Sequence, residues 1–162
     1  MPADTQPIVQ QLATLLTSGA KKLCTAESCT GGLIAKTLTD LAGSSLWFDR
    51  GFVTYSNQAK TEMLAVPGVL VDTFGAVSEP VANAMARGAL RHSQADYAIA
   101  VTGIAGPGGG SEDKPVGTVW IAVASDSQLV SRRYGFDGDR PVVRQKTLEA
   151  ALGDLLALIE RD

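Results

Sequence analysis

Histidine is almost missing from this sequence. His92 stands alone among 162 residues, so a multi-histidine zinc site cannot be assembled and histidine-dependent chemistry has one candidate. Cysteine is nearly as scarce: Cys24 and Cys29 lack CxxC spacing, which excludes a disulfide scaffold and leaves two reduced thiols. Charge is modest, 19% of residues, with 14 basic against 17 acidic side chains and a net charge of −3. Such a surface attracts a phosphate backbone weakly, so no nucleic-acid partner is expected. No apolar run approaches the roughly 18–20 residues of a membrane-spanning helix. The amino terminus has no basic start before an apolar stretch, as a signal peptide requires. These absences together predict a cytoplasmic protein without membrane contact.

What is present has an ordinary globular balance. Apolar types make up 45%, and the length suits one domain over residues 1–162 with a single core. Ile8, Leu12, Leu15 and Leu16 recur at helical spacing, which predicts an amphipathic helix over about 6–18 that stops at Gly19. Residues 22–26 suit a strand, a polar turn follows, and 33–41 return to helical spacing. A second strand is predicted at 51–56 and a short helix at 57–64, after which Pro67 and Gly68 break the pattern. Ser78 should cap a helix carrying Pro80 in its first turn and running to Arg91. The apolar run 97–101 suits a strand covered on both faces. A glycine-rich loop occupies 103–115, strands at 116–124 and 129–136 form a hairpin, and a helix capped by Asp139 spans 141–160.

Helices alternate with strands early and a hairpin closes the series. The expected fold is therefore α/β: a three-layer α/β/α sandwich around a mixed, mostly parallel sheet of about five strands. Ligands in such sheets gather outside the carboxyl ends of the strands, where three polar segments fall.

The first is Glu27-Ser28-Cys29-Thr30-Gly31-Gly32. Ser28 at a sharp strand-to-helix turn suits a nucleophile beside an oxyanion hole; alternatively Ser28 or Thr30 simply caps the helix. Cys29 is the rival nucleophile, although a small buried thiol is the common fate of such a cysteine. The second segment places Tyr55 at a strand end and Lys60 one turn into the next helix, facing one crevice. A lysine becomes a general base only when burial or a nearby cation lowers its pKa from about 10.4. The third is Thr102-Gly103-Ile104-Ala105-Gly106-Pro107-Gly108-Gly109-Gly110, which lets backbone approach a phosphate or ribose yet matches no standard phosphate loop. Arg140 and Arg144 start the last helix and could clamp a phosphate. His92 lies among Arg91, Ser93 and Gln94 at a helix end, an exposed setting that does not suit a Ser-His-Asp triad. A serine hydrolase built on this chain would need a lysine as base.

Four longer stretches occur in order: TAESCTGG, AGSSLWFDRGFVTYSNQAK, GAVSEP and TGIAGPGGGSEDKPVGTVW. Together they resemble the nicotinamide-nucleotide amidase family, also called the CinA carboxy-terminal domain or PncC, over roughly residues 8–160. The resemblance implies a sandwich related to anticodon-binding domains. It also implies hydrolysis of the carboxamide of nicotinamide mononucleotide to nicotinate mononucleotide and ammonia, with no cofactor and no metal. It puts the serine nucleophile on Ser28, the lysine on Lys60 and a catalytic tyrosine on Tyr55. Its substrate-binding positions fall on Thr30, Gly31, Gly32, Ser45, Thr102, Gly103 and Ala105, with the phosphate arginine at Arg140 or Arg144. A homo-oligomer, dimer or higher, is implied as well. Many relatives carry an amino-terminal domain resembling molybdopterin-binding proteins; none is expected here, where only a handful of residues precede the first helix. The alternative reading is a non-catalytic nucleotide-binding or regulatory protein linked to competence and DNA damage.

Overall fold

A computed structural model describes residues 4–162. Its elements follow in the order α1 (Gln6–Ser18), β1 (Leu23–Glu27), α2 (Leu33–Thr39), β2 (Phe48–Val53), α3 (Asn57–Leu64), α4 (Gly68–Phe74), α5 (Glu79–Arg91), β3 (Tyr97–Gly103), β4 (Thr118–Ala124), β5 (Leu129–Gly135) and α6 (Arg140–Arg161), with a one-turn 3-10 helix at Ser44–Leu46. The strands form one open sheet in the order β2-β1-β3-β4-β5. β1 pairs in parallel with both β2 and β3, while β4 runs antiparallel to β3 and to β5. This is the mixed, mostly parallel α/β architecture expected from the element order.

Side-chain alternation assigns the two faces. Leu23, Ile99, Val101, Val119 and Ile121 meet α1, α2 and α6, whose Leu12, Leu16, Ile34, Leu148, Leu152 and Leu155 are fully or almost fully buried. The opposite face is built from alanines: Ala26, Ala98, Ala100, Ala122 and Ala124 receive Val81, Ala82, Met85, Ala86 and Ala89 of α5. Small residues on both sides let α5 lie close to the sheet, and α3 and α4 pack on α5 in turn. Among the described residues no helix is long and apolar enough to cross a membrane.

Three local readings need correction. The second strand starts at Phe48, not Gly51, and stops at Val53. Its first half is polar because β2 is an edge strand. Asp49 pairs with Arg50 at 2.6 Å and accepts the Gln94 amide, so charge there tethers loops instead of filling core. α3 already ends at Leu64 with Ala65 as its left-handed C-cap, and Pro67 and Gly68 open α4, with Pro67 at its N-cap position. Ser78 holds the N-cap position of α5 without capping it; its hydroxyl donates to the Gly75 carbonyl at 2.7 Å. Asp139 does cap α6, accepting the Val142 amide at 3.2 Å.

The carboxyl ends of β1, β2 and β3 lie side by side. After β1 the chain goes to one side for β2; after β2 it crosses to the other side of β1 for β3. That switch of direction opens a crevice at the strand ends, and all three polar segments of the sequence open onto it.

Gly88 marks how tightly α5 is seated. A Cβ there would run into the carbonyl of Leu64 at the end of α3. In an open helix, alanine is favoured over glycine by up to about 1 kcal/mol. Gly88→Ala should instead lower stability by roughly 1–3 kcal/mol, the usual cost of overpacking. Gly153→Ala, at a helical site with open space around it, should be neutral or stabilising. Thermal unfolding of the two variants checks the contrast.

Candidate active site

Glu27 ends β1, and from there alternation separates its side chain from that of Ser28. The Glu27 carboxylate turns toward α2; Ser28 turns toward α3. Ser28 is held in line by its amide, which donates to the Val101 carbonyl at 3.1 Å. The chain then bends through Gly31 and Gly32, whose φ values of 58° and 104° suit glycine and not a residue with a Cβ.

Lys60 comes up from α3. Ser56 caps that helix by accepting the Ala59 amide at 3.0 Å, which points the first turn into the crevice. The Lys60 Nζ lies 2.9 Å from Ser28 Oγ and 2.9 Å from the Thr54 carbonyl, with the Tyr55 carbonyl at 3.5 Å. The side chain is 1% exposed. No carboxylate lies within ion-pair distance of it among the described residues. Burial without a counter-ion disfavours the ammonium form, so the pKa of Lys60 is pushed below the ordinary lysine value. A neutral amine facing a serine hydroxyl is the arrangement a nucleophile–base pair requires.

Around this pair lies a cavity of about 290 Å³, lined by Ser28, Cys29, Tyr55, Asn57, Lys60, Ala76, Val77, Arg140 and the loop from Thr102 to Ala105, with Gly106, Gly108 and Gly109. The Thr102 hydroxyl donates to the Ala76 carbonyl at 2.9 Å and so ties the end of β3 to the segment before α5. Arg140 reaches over the mouth, donating to the Gly106 carbonyl at 2.9 Å and to the Tyr55 hydroxyl at 2.8 Å. Tyr55 is 58% exposed, and its hydroxyl makes no bond to Ser28 or Lys60. Its contribution to the pair is the backbone carbonyl.

The expected substrate positions divide. Thr102, Gly103, Ala105 and Arg140 line the cavity together with Ser28, Tyr55 and Lys60, whereas Thr30, Gly31, Gly32, Ser45 and Arg144 do not. Ser45 is exposed on the 3-10 turn. Arg144 lies behind the Ser28 turn, its guanidinium on the carbonyls of Cys29 at 3.2 Å and Thr30 at 2.9 Å. Thr30 is fully buried with its hydroxyl on Glu27 at 2.7 Å. Neither Ser28 nor Thr30 caps α2: the N-cap position is Gly32, and the Glu27 carboxylate accepts the Ile34 and Ala35 amides instead. Glu27 and Asn57 carry site geometry that sequence reading passed over. The signal for Glu27 was a lone acidic residue closing an otherwise buried strand.

Among the described residues no cluster of three or more His, Cys, Asp or Glu is placed to hold a metal ion. His92 ends α5 with Nδ1 2.7 Å from the Gly88 carbonyl and lines no part of the cavity.

An α/β sheet with a serine–lysine crevice at its switch point is the class that fold and site define. The chain belongs to the CinA C-terminal domain family, whose model matches residues 5–159. It is 50% identical over 154 residues to the nicotinamide-nucleotide amidohydrolase PncC of Escherichia coli (strain K12), covering 94% of this chain and 93% of that protein. The protein of the same name from Pseudomonas putida is 56% identical over 137 residues, 85% of this chain and 86% of its own. Among solved structures, competence/damage inducible protein CihA from Agrobacterium tumefaciens superposes with a TM-score of 0.95 at 48% identity, covering 98% of this chain and 97% of that one.

Cys29 lines the same cavity, and burial pushes its thiol up to about 11. The nucleophilic thiolate is therefore scarce near neutral pH. Alkylation with iodoacetamide at pH 7 should leave turnover intact, and Cys29→Ala should keep most of it. Loss of turnover in a folded Cys29→Ala would point to Cys29 as the nucleophile.

Proposed function

We propose that this protein is a nicotinamide-nucleotide amidase that uses Ser28 as nucleophile and Lys60 as base. The substrate assignment rests on the relatives named nicotinamide-nucleotide amidohydrolase, which are about half identical over most of the chain. The observation that carries the mechanism is the 2.9 Å contact between Lys60 Nζ and Ser28 Oγ inside a buried, counter-ion-free crevice.

The steps follow from that contact. An amide is a poor electrophile, so the hydroxyl must lose its proton as it attacks. Neutral Lys60 takes that proton while Ser28 Oγ bonds to the carboxamide carbon of the pyridine ring. Negative charge collects on the carboxamide oxygen. The amide of Cys29, which lines the cavity, donates to no backbone carbonyl among the described residues and can stabilise it, whereas the Gly31 amide is already spent on the Ser28 carbonyl at 3.0 Å. Collapse breaks the carbon–nitrogen bond, and the protonated Lys60 returns its proton to the departing amine as ammonia. Water then attacks the ester with Lys60 again as base, releasing the nicotinate carboxylate and Ser28. Protonation switches the machine off, so the rate rises with pH as Lys60 deprotonates. Because burial lowers its pKa, that limb lies below the ordinary lysine range.

Arg140 is the phosphate partner in this reading. It is exposed, stands at the first turn of the long helix α6, and its present acceptors are neutral. A phosphate monoester there gains charge-assisted pairing with the guanidinium.

Ammonia release from nicotinamide mononucleotide by the purified protein tests the activity. Ser28→Ala and Lys60→Ala should each lower kcat on the order of a thousandfold or more, and the double variant little further, because the two residues act as one unit. Additive losses, or a Lys60→Ala enzyme with near-parental kcat, would separate them. Arg140→Ala should raise KM for the mononucleotide far more than for nicotinamide riboside. Equal effects on both would place Arg140 outside the phosphate site.

A further inference from the structure

The Glu27 carboxylate is fully buried and makes all of its hydrogen bonds to one stretch of chain. One oxygen accepts the Thr30 hydroxyl at 2.7 Å and the Ile34 amide at 2.8 Å; the other accepts the Ala35 amide at 3.0 Å. No cation lies within ion-pair distance of it among the described residues. Burying a carboxylate away from a cation is expensive. If the only need were to cap α2, a serine, threonine or aspartate at the N-cap would serve at the surface without that cost. The N-cap is instead Gly32, with no side chain, and the capping oxygens come from five residues earlier.

What the carboxylate adds is a brace across the turn that carries Ser28. Its own backbone carbonyl accepts the Thr54 amide at 2.8 Å, and the Thr54 carbonyl in turn receives Lys60. On the far side Arg144 grips the carbonyls of Cys29 and Thr30. Thr30 is thus held at its hydroxyl by Glu27 and at its carbonyl by Arg144. Resting on Ser28 as the nucleophile, we infer that Glu27 is a positioning residue: through Thr30 and the first turn of α2 it fixes the turn that aims Ser28 at Lys60 and presents the Cys29 amide. It touches neither substrate nor reacting atoms, since it lines no part of the cavity.

All three partners of the carboxylate are donors, and glutamine offers only one acceptor oxygen. Glu27→Gln keeps the volume but turns an N–H-accepting oxygen into an NH₂ that faces a donor. A sub-ångström shift of the nucleophile is costly in kcat, so this variant should lose on the order of 10–100-fold in kcat with KM within about threefold of the parent. Thr30→Val removes one of the three bonds and should lose kcat by roughly three- to tenfold, while Thr30→Ser, with a hydroxyl restored, should recover most of that loss. Turnover of nicotinamide mononucleotide is measured for each variant beside the parent and Ser28→Ala. A folded Glu27→Gln with parental kcat, or a loss borne equally by KM, overturns the inference while the nucleophile stands. If Glu27→Gln does not fold, the threonine pair decides: equal kcat in Thr30→Val and Thr30→Ser overturns it too. An active Ser28→Ala, or a parent without turnover, instead overturns the underlying reading and takes this inference with it.

Discussion

A buried amine with no counter-ion is the constraint on which the site depends. Lys60 sits 1% exposed against two carbonyl oxygens and one hydroxyl, all neutral. An ammonium in that position has lost most of its hydration and gained no opposite charge, which is why its pKa falls. A nearby carboxylate would reverse the effect and lock the proton on. The fold keeps its nearest buried carboxylate, Glu27, on the other face of the sheet end, one residue away in sequence and opposite in direction. Strand alternation alone makes that separation possible.

The same alternation explains why the two faces of the sheet differ. The face toward α1, α2 and α6 is filled with leucine, isoleucine and valine, a conventional core. The alanine face draws α5 in close, and α3 rests on α5 through the Leu64–Gly88 contact. The height of α3 above the sheet sets how far Lys60 must reach to meet Ser28. Small residues remote from the crevice therefore control a hydrogen bond inside it.

Much of this was legible in the sequence, and the failures have physical causes. Helical spacing placed α1 and α2, start signals (a cap before 57–64, and Ser78 with Pro80) placed α3 and α5, and an uninterrupted apolar run placed β3, which is buried on both faces. β2 was displaced by three residues because an edge strand buries little, so its polar first half carries no alternation to detect. α4 was missed because Pro-Gly both ends and starts helices, and seven residues are too few to show a period. Ser28, Lys60 and the Thr102 loop were found from residue type at strand ends, and they meet in one cavity. Tyr55 lines the same cavity, but its hydroxyl meets Arg140 and neither Ser28 nor Lys60, and the Arg144 guanidinium goes behind the Ser28 turn. No local pattern encodes partners 85 and 114 residues away.

Arg140 shows how the open side of the crevice differs from its base. At the base, burial disfavours the ammonium form of Lys60, and the one buried carboxylate is sealed behind the turn. At the mouth, a guanidinium that no burial can neutralise is left with a carbonyl and a phenol as partners. Neutral acceptors satisfy its donors geometrically without compensating its charge, so an anionic oxygen replacing either one gains Coulomb energy on top of an equivalent hydrogen bond. The crevice thus differs along its length, with an exposed guanidinium at the mouth and, at the base, a lysine whose charged form burial disfavours. A substrate that carries a dianionic group at one end and a neutral amide at the other matches that gradient. The reverse orientation would bring phosphate against Lys60, stabilise its ammonium form and so raise the pKa that burial lowers. On the proposed reading, the same electrostatics that bind the nucleotide also dictate which end of it reaches Ser28.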